Sequence, residues 1–135
     1  PSMPCIAPCP PVALAIDYVR SPRFMSVSPE MLDALVERGL QVDAGISIWV
    51  LQHCLKPAED IDRIYRTLKP DAEFFLLNNL YRAVPTREKA WVNDGLDIKA
   101  MVGERFAIQR EGIPPLERTP KDLVGIIFWA AYKKA

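Results

Sequence analysis

The chain has 135 residues, half of them hydrophobic, and 17 basic residues balance 17 acidic ones. A chain of this length can bury one hydrophobic core, so a single domain is the first expectation. A formal net charge of zero gives no summed field that would attract nucleic acid or an anionic membrane. The apolar runs are shorter than the ~18 residues of a membrane span, and the first residues lack a secretory signal pattern. These features predict a cytoplasmic protein whose partners are small molecules or other proteins.

The cysteines and the histidine do not form a pattern typical of a metal or disulfide site. Cys5, Cys9 and Cys54 are too few and too scattered for the disulfide framework of a small secreted domain, so we expect reduced thiols. His53 adjoins Cys54, but it is the only histidine and has no second ligand at helical or turn spacing. No metal site is therefore predicted.

Residues 1–11 contain five prolines, which remove backbone donors and fix φ. We interpret them as a proline-rich N-terminal segment and residues 12–135 as a single α/β domain. Two apolar runs, 12–18 and 24–27, follow, and one of them is expected to be a strand. A helix over 29–38 is then predicted by an N-cap serine, a proline at its first position and a glycine after its end.

The middle of the chain predicts a strand, a helix and a second strand. Residues 43–51 are continuously apolar after the first, which is typical of a central parallel strand. The helix begins at Pro57 and ends before Pro70, and its apolar side chains recur at helical spacing (Ile61, Ile64, Tyr65 and Leu68). Residues 73–78 form the second buried strand, so a right-handed parallel unit is expected.

The last third of the chain predicts less regular structure. A mixed helical stretch over 87–102, broken near Gly95, precedes two strand candidates at 106–110 and 123–132. The connection between these strands is rich in proline and has no crossover helix, so they should pair antiparallel.

Polar and aromatic residues cluster where the two central strands end, and ligands of open parallel sheets bind at that edge. These residues are Trp49, Gln52, His53, Cys54, Asn78 and Asn79. Each also has a structural interpretation: Trp49 as a core residue, His53 as a helix-flanking residue, and the asparagines as caps of the strand end.

The same region resembles the class I S-adenosylmethionine-dependent methyltransferases. In that family an aspartate opens the fourth strand, a serine-like residue and Leu-x-His mark its end, and Arg-x-Leu-Lys-Pro ends the next helix. Here the corresponding residues are Asp43, Ser47, Leu51 with His53, and 66–70. Residues 123–134 resemble the antiparallel final strand of the family, and 106–110 its sixth strand.

Three features depart from the family pattern. Asp71 and Ala72 replace the Gly-Gly that usually follows Lys-Pro, and the six glycines include no G-x-G for a phosphate-type turn. Ser26 stands where the ribose-binding acid is expected, and Asp43 comes only eleven residues after Leu32. We therefore expect a truncated Rossmann-like α/β fold, a mostly parallel sheet with an antiparallel C-terminal strand, that begins near the third strand and lacks the N-terminal cofactor half.

The resemblance implies a partial methyltransferase domain that transfers a methyl group from S-adenosylmethionine to an unknown acceptor, a small molecule or a protein. His53 is the candidate catalytic base; Ser47, Trp49 and Gln52 are expected on the cofactor side; and Asn78 and Asn79 are expected to face the acceptor. The alternative is a non-catalytic α/β interaction module that needs a partner chain to complete its sheet. An uncovered sheet edge is also where copies of this chain can associate as a homo-oligomer.

Overall fold

The structure is a computed structural model that describes residues 13–15, 24–88 and 90–135. The chain divides into two compact units, Pro1–Leu40 and Gln41–Ala135. The proline-rich segment 1–11 lies outside the described residues. The single domain expected over 12–135 stays a prediction.

The first unit contains two short strands and a helix. Strand β1 (Ala13–Ala15) pairs in parallel with β2 (Phe24–Ser26), so both apolar runs contain a strand. Helix α1 (Pro29–Glu37) begins where the sequence predicted it. Its N-cap is confirmed, because the Ser28 hydroxyl accepts a hydrogen bond from the Met31 amide at 3.1 Å.

The second unit is built on a four-stranded sheet. Its elements are β3 (Val42–Ile48), α2 (Pro57–Thr67), β4 (Leu68–Asn79), β5 (Val84–Pro85), β6 (Trp91–Val92), α3 (Ile98–Gly103), β7 (Phe106–Gly112) and β8 (Ile127–Lys134). The strand order is β3-β4-β8-β7. β4 is parallel to β3, whereas β8 is antiparallel to both of its neighbours. Three strands thus run one way and the C-terminal strand runs the other way, which confirms the predicted truncated Rossmann-like α/β sheet.

The junction between α2 and β4 is tighter than the sequence suggested. The strand begins directly after the helix, at Leu68, and not at residue 73. Its pairing with β3 jumps from Val42↔Leu68 to Ala44↔Glu73, so the intervening residues bulge from the ladder. Asp71, where the family usually has glycine, takes a φ of +63°, a left-handed conformation that aspartate tolerates better than most residues. The Lys134 ammonium group donates to the Leu68 carbonyl oxygen at 2.7 Å and fixes this junction.

One face of the sheet carries the hydrophobic core. Alternate residues of β4 and β8 are buried against the two helices, and Ile61, Ile64 and Leu68 pack there as predicted. The buried set includes Phe74, Leu76, Val102, Phe106, Phe128, Ala130 and Tyr132. Because side chains alternate along a strand, every second residue points to the opposite face.

That opposite face is apolar but open to solvent. Ile46 is 72% exposed and Ile48 is 50% exposed. The rings of Phe75 and Trp129 stack on the same face with centroids 6.2 Å apart. The sheet of the second unit is therefore covered by its own helices on one side only.

The region after β4 corrects one prediction. The helical stretch expected over 87–102 is wrong for most of its length, because β5 and β6 form an antiparallel ladder and only α3 is helical. Asn93 and Asp94 explain the difference, since their side-chain oxygens accept from the amides of Gly95 at 2.9 Å and Leu96 at 3.2 Å. Such local turns compete with helix formation.

The C-terminal strands confirm the antiparallel prediction. β7 and β8 pair along most of their length, and short 3-10 turns at Leu116–Arg118 and Lys121–Leu123 lie between them. β8 therefore begins at Ile127, four residues later than the sequence indicated. Among the described helices, none is long and apolar enough to cross a membrane.

Candidate functional site

Ser47 and Trp49 lie at the carboxyl end of β3, which itself stops at Ile48. Ser47 is buried and stands in register with Leu76 of β4. Trp49 has a φ of +61°, a conformation rarely adopted by a bulky residue, while its amide still donates to the Leu77 carbonyl oxygen at 2.9 Å. The chain therefore turns sharply out of the sheet at Trp49, and the predicted strand 43–51 is cut short at residue 48.

Two buried amide side chains tie the ends of β3 and β4 together. The Gln52 backbone N–H donates to Asn78 Oδ1 at 3.3 Å, and the Asn79 backbone N–H donates to Gln52 Oε1 at 2.8 Å. Gln52 and Asn78 are both fully buried. These reciprocal bonds fix the geometry of the carboxyl edge, and they engage both side-chain oxygens in internal contacts.

The hydrogen bonds of His53 assign its tautomer. Nδ1 lies 2.7 Å from the Ala83 carbonyl oxygen, which only accepts, so Nδ1 carries the proton. Nε2 is then the acceptor of a bond from Gln52 Nε2 at 3.3 Å. The ring also lies 4.9 Å from the Trp91 ring, centroid to centroid. Action of His53 as a base stays a prediction, and it requires Gln52 to release Nε2.

Arg82 is a site residue that the sequence analysis missed. Its side chain is fully buried and forms an ion pair with Asp94 (Nε to Oδ1, 3.1 Å). It also donates to the carbonyl oxygens of Leu51 at 2.7 Å and Cys54 at 2.5 Å. The Arg82 hydrogen bond is the main cause that lowers the pKa of Asp94. Arg82 therefore joins the turn after β3 to the loop that precedes α3, and no short sequence motif links these loop residues.

The remaining polar groups of the edge differ in their availability. Burial, with a smaller contribution from Asp60, raises the pKa of the Cys54 thiol to about 11, which disfavours the nucleophilic thiolate near neutral pH. Ser47 Oγ and Asn79 Oδ1 are buried and have no hydrogen-bond partner among the described residues. Across residues 13–15, 24–88 and 90–135, no group of three His, Cys, Asp or Glu side chains is placed to hold a metal ion.

Most of the predicted site residues meet at this one edge. The hydrogen bonds join Gln52, His53, Asn78 and Asn79 into one network. Ser47 lies outside this network, within β3, and its side chain points to the helix-covered face of the sheet. Whether any of these residues binds a cofactor or acceptor stays a prediction. Ser47 and Asn79 each keep one buried side-chain oxygen without a partner among the described residues, whereas most buried polar atoms in proteins are paired.

Comparison with solved structures identifies similar folds. No protein-family model matches the sequence, and no curated protein matches it significantly. The N-methyltransferase NodS from Bradyrhizobium japonicum WM9, solved with S-adenosyl-L-homocysteine, superposes with a TM-score of 0.53 at 12% identity over 71% of this chain and 47% of NodS. The PH0226 protein from Pyrococcus horikoshii OT3 gives a TM-score of 0.51 at 13% identity over 84% of this chain and 59% of PH0226.

These similarities show the fold, and the chain spans about half the length of the two proteins. The chain thus has the fold of part of a class I methyltransferase domain, as the sequence resemblance implied.

Proposed function

We propose that this chain is the C-terminal part of an S-adenosylmethionine-dependent methyltransferase domain. The observation that carries the proposal is the sheet order β3-β4-β8-β7 with β8 reversed, combined with the methyltransferase-like residues at the end of β3. The structural similarity to NodS, a methyltransferase solved with the product form of the cofactor, supports the same class. The acceptor of the methyl group is a separate question.

The residues of the edge fit one side of a cofactor site. Ser47 contributes a buried hydroxyl without a partner, and Trp49 contributes an aromatic ring at the point where the backbone leaves the sheet. Gln52 acts by holding the two strand ends in place. In the proposal these three residues face S-adenosylmethionine, which supplies the methyl group when bound.

The acceptor side of the proposed site is formed by Asn78, Asn79 and His53. Asn78 is fully buried and orients the turn after β3, whereas Asn79 offers an unsatisfied oxygen. Holding the acceptor in line with the methyl donor supplies much of the rate in such a transfer. His53 is the candidate base for acceptors that must lose a proton.

The fit is partial, because the sequence contains no G-x-G through which backbone amides approach a nucleotide-like ligand. We therefore propose that this chain alone binds the cofactor weakly. A cytoplasmic location belongs to the same proposal, since three scattered cysteines are typical of a reducing compartment.

A second candidate function is an interaction module without catalysis. It is favoured by the open apolar face with Ile46 and Ile48, and by β3, which forms one edge of the sheet. An exposed edge strand is a template for pairing with another chain. A partner that supplies the absent strands would complete the sheet, and pairing of two copies would do so in part.

The test is a nuclear magnetic resonance titration of the whole chain with S-adenosylhomocysteine up to millimolar concentration. The proposal expects saturable shifts of the Trp49 indole signal and of residues 47–53, with the Trp129 signal unchanged. The Trp49→Ala variant should lose the remaining shifts. Absence of any shift near Trp49 would refute the methyltransferase proposal and leave the interaction module.

A further inference from the structure

The side chains of His53 and Gln52 are each held in one orientation by a backbone group. The Ala83 carbonyl oxygen only accepts, and it lies 2.7 Å from His53 Nδ1, so this nitrogen carries the ring proton. The Asn79 backbone N–H only donates, and its nitrogen lies 2.8 Å from Gln52 Oε1, so the oxygen of that amide faces Asn79. The Gln52 amino group is thereby directed to His53 Nε2, at 3.3 Å. Each contact in this series joins one donor to one acceptor.

A second proton on the His53 ring destroys this match. Protonated histidine donates from both ring nitrogens, so the new Nε2–H would point at the Gln52 amino group, which also only donates. Turning the Gln52 amide over removes the conflict, because its oxygen then accepts from His53. The amino group then faces the Asn79 N–H, which loses its acceptor. Neither orientation of the Gln52 amide satisfies both neighbours once His53 is charged.

The Gln52 amide is easier to turn than the His53 ring is to move. The two ends of an amide differ little in size, so the turned side chain fits the same buried space. The ring, by contrast, is held by the Ala83 carbonyl oxygen and packs on the Trp91 ring. Hydrogen bonds from a charged donor are roughly twice as strong as neutral ones, so protonation strengthens the bond to Ala83 and favours the new bond to the Gln52 oxygen.

Charged groups from the neighbouring elements also face this turn. Arg82 donates to the Cys54 carbonyl oxygen and is paired with Asp94. This hydrogen-bonded pair stays ionised near neutral pH, since Arg82 lowers the pKa of Asp94. Asp60, at the start of α2, lies beside the Cys54 thiol, which is neutral because its pKa is raised to about 11. The side chains of β5 and β6 are uncharged: Val84, Pro85, Trp91 and Val92. Histidine is the residue type that ordinarily changes charge between about pH 5 and 8, so His53 is the proton acceptor of this turn.

We propose that His53 and Gln52 form a proton-sensitive switch at the carboxyl edge. A proton on His53 Nε2 turns the Gln52 amide over and releases the backbone N–H of Asn79 at the end of β4. The adjoining Asn78 side chain accepts from the Gln52 backbone N–H, so the protonated state loosens one of the two bonds that join the strand ends. The switch uses only groups of this chain and does not depend on methyl transfer.

A nuclear magnetic resonance titration of the intact chain from about pH 8 to 5 tests the switch. The ring signals are unambiguous, because His53 is the only histidine. At pH 8 we expect the ring proton on Nδ1. The side-chain amide signals of Gln52 and the backbone amide signal of Asn79 should shift with the same midpoint as the ring. The protection of the Asn79 amide against hydrogen exchange should fall about fivefold, the effect of one lost net hydrogen bond, whereas the Leu76 amide, in the middle of β4, should keep its protection.

Two substitutions of Gln52 separate the contacts. Gln52→Glu supplies a carboxylate that accepts from both neighbours, so the titration midpoint of the ring should rise by about one pH unit and Asn79 should stay protected. Gln52→Met keeps the length of the side chain but removes its polar atoms, so the ring should titrate without a response at Asn79. Gln109→Glu, at an exposed position of β7, adds the same charge elsewhere and is the matched control; it should leave the midpoint unchanged.

The proposal is overturned if the ring titrates while the Asn79 amide of the unsubstituted chain does not respond, or if Nε2 carries the ring proton at pH 8. It is also overturned if Gln52→Glu shifts the midpoint no more than Gln109→Glu does. Loss of protection at Leu76 together with Asn79 would mean that acid loosens the whole sheet, which contradicts a local switch. These outcomes need no cofactor, so they are distinguishable from a failure of S-adenosylhomocysteine to shift the Trp49 signal.

Discussion

Substitution of Arg82 by methionine tests whether the buried guanidinium holds the carboxyl edge together. The Arg82→Met change keeps an apolar stem but removes the donors to the Leu51 and Cys54 carbonyl oxygens. A buried acceptor that loses its partner costs about 1–3 kcal/mol. Since the Leu51 bond is buried and the Cys54 bond is partly accessible to water, we expect a total loss of about 2–4 kcal/mol.

The assay is urea unfolding monitored by tryptophan fluorescence at pH 7. Arg105→Met is the control, because Arg105 also pairs with an aspartate, Asp62 (Nη1 to Oδ1, 2.8 Å), but in a half-exposed position. That control should cost less than about 1 kcal/mol. An Arg82→Met chain as stable as the Arg105→Met chain would refute the structural role assigned to Arg82.

The ion pair between Arg82 and Asp94 makes the stability of the folded chain depend on pH. Hydrogen bonding to Arg82 lowers the pKa of Asp94 from its usual 3.8, so the folded chain holds the charged carboxylate more strongly than the unfolded chain. The resulting stabilisation is complete at pH values well above 3.8 and is lost as the pH falls through the lowered pKa of Asp94. The stability difference between the wild type and Asp94→Asn should therefore be constant from pH 7 to 5 and shrink below 3.8.

Three further predictions concern the sheet and helix α3. In Gly112→Ala the new methyl group would lie 2.9 Å from Trp129 Cζ2, so we expect a loss of about 1–3 kcal/mol and a changed near-ultraviolet dichroism; an unchanged tryptophan signal would contradict this packing. In Gly103→Ala the new methyl group, in α3, would have nothing within 4 Å, so we expect the free energy of unfolding to rise by about 0.4–1 kcal/mol; a lower free energy of unfolding would show strain there. A chain truncated after Gly125 lacks β8, the strand between β4 and β7, so it should not unfold cooperatively in urea; a cooperative transition would refute the core assignment.

The sequence predicted those parts of the fold where one physical pattern dominates. The unit of β3, α2 and β4 was predictable because continuous apolar runs surround a strongly amphipathic helix. The helix start at Ser28 was predictable because N-capping is a local interaction between residues three apart. The antiparallel final pair followed from the lack of a crossover helix.

Other features depend on contacts between residues distant in the chain. The mixed stretch 87–102 was misassigned, since Asn93 and Asp94 close local turns whose hydrogen bonds outcompete a helix. The early start of β4 depends on the bulge at Asp71 and on Lys134, which lies more than sixty residues away in the chain. Propensity within a short window contains no information about such partners.

The candidate site shows the same division. Gln52, His53, Asn78 and Asn79 were placed correctly at one edge, because parallel strands end on the same side of a sheet. The pairing of Gln52 with Asn78 and the tautomer of His53 depend on contacts that only the folded chain brings together. Arg82 was missed because its partners, Asp94 and two backbone carbonyl oxygens, are brought to it only by the fold.

Calorimetric titration of the 135-residue chain with S-adenosylmethionine tests the central claim, that this chain holds one side of a methyltransferase site and lacks the other. A lost charged hydrogen bond costs about 1.5–3 kcal/mol, and each ~1.4 kcal/mol is a tenfold change in affinity. Without a glycine turn and a ribose-binding acid, we predict no saturable binding at micromolar concentration. Tight binding that the Trp49→Ala change abolishes would contradict the account and show that the chain contains a complete cofactor site.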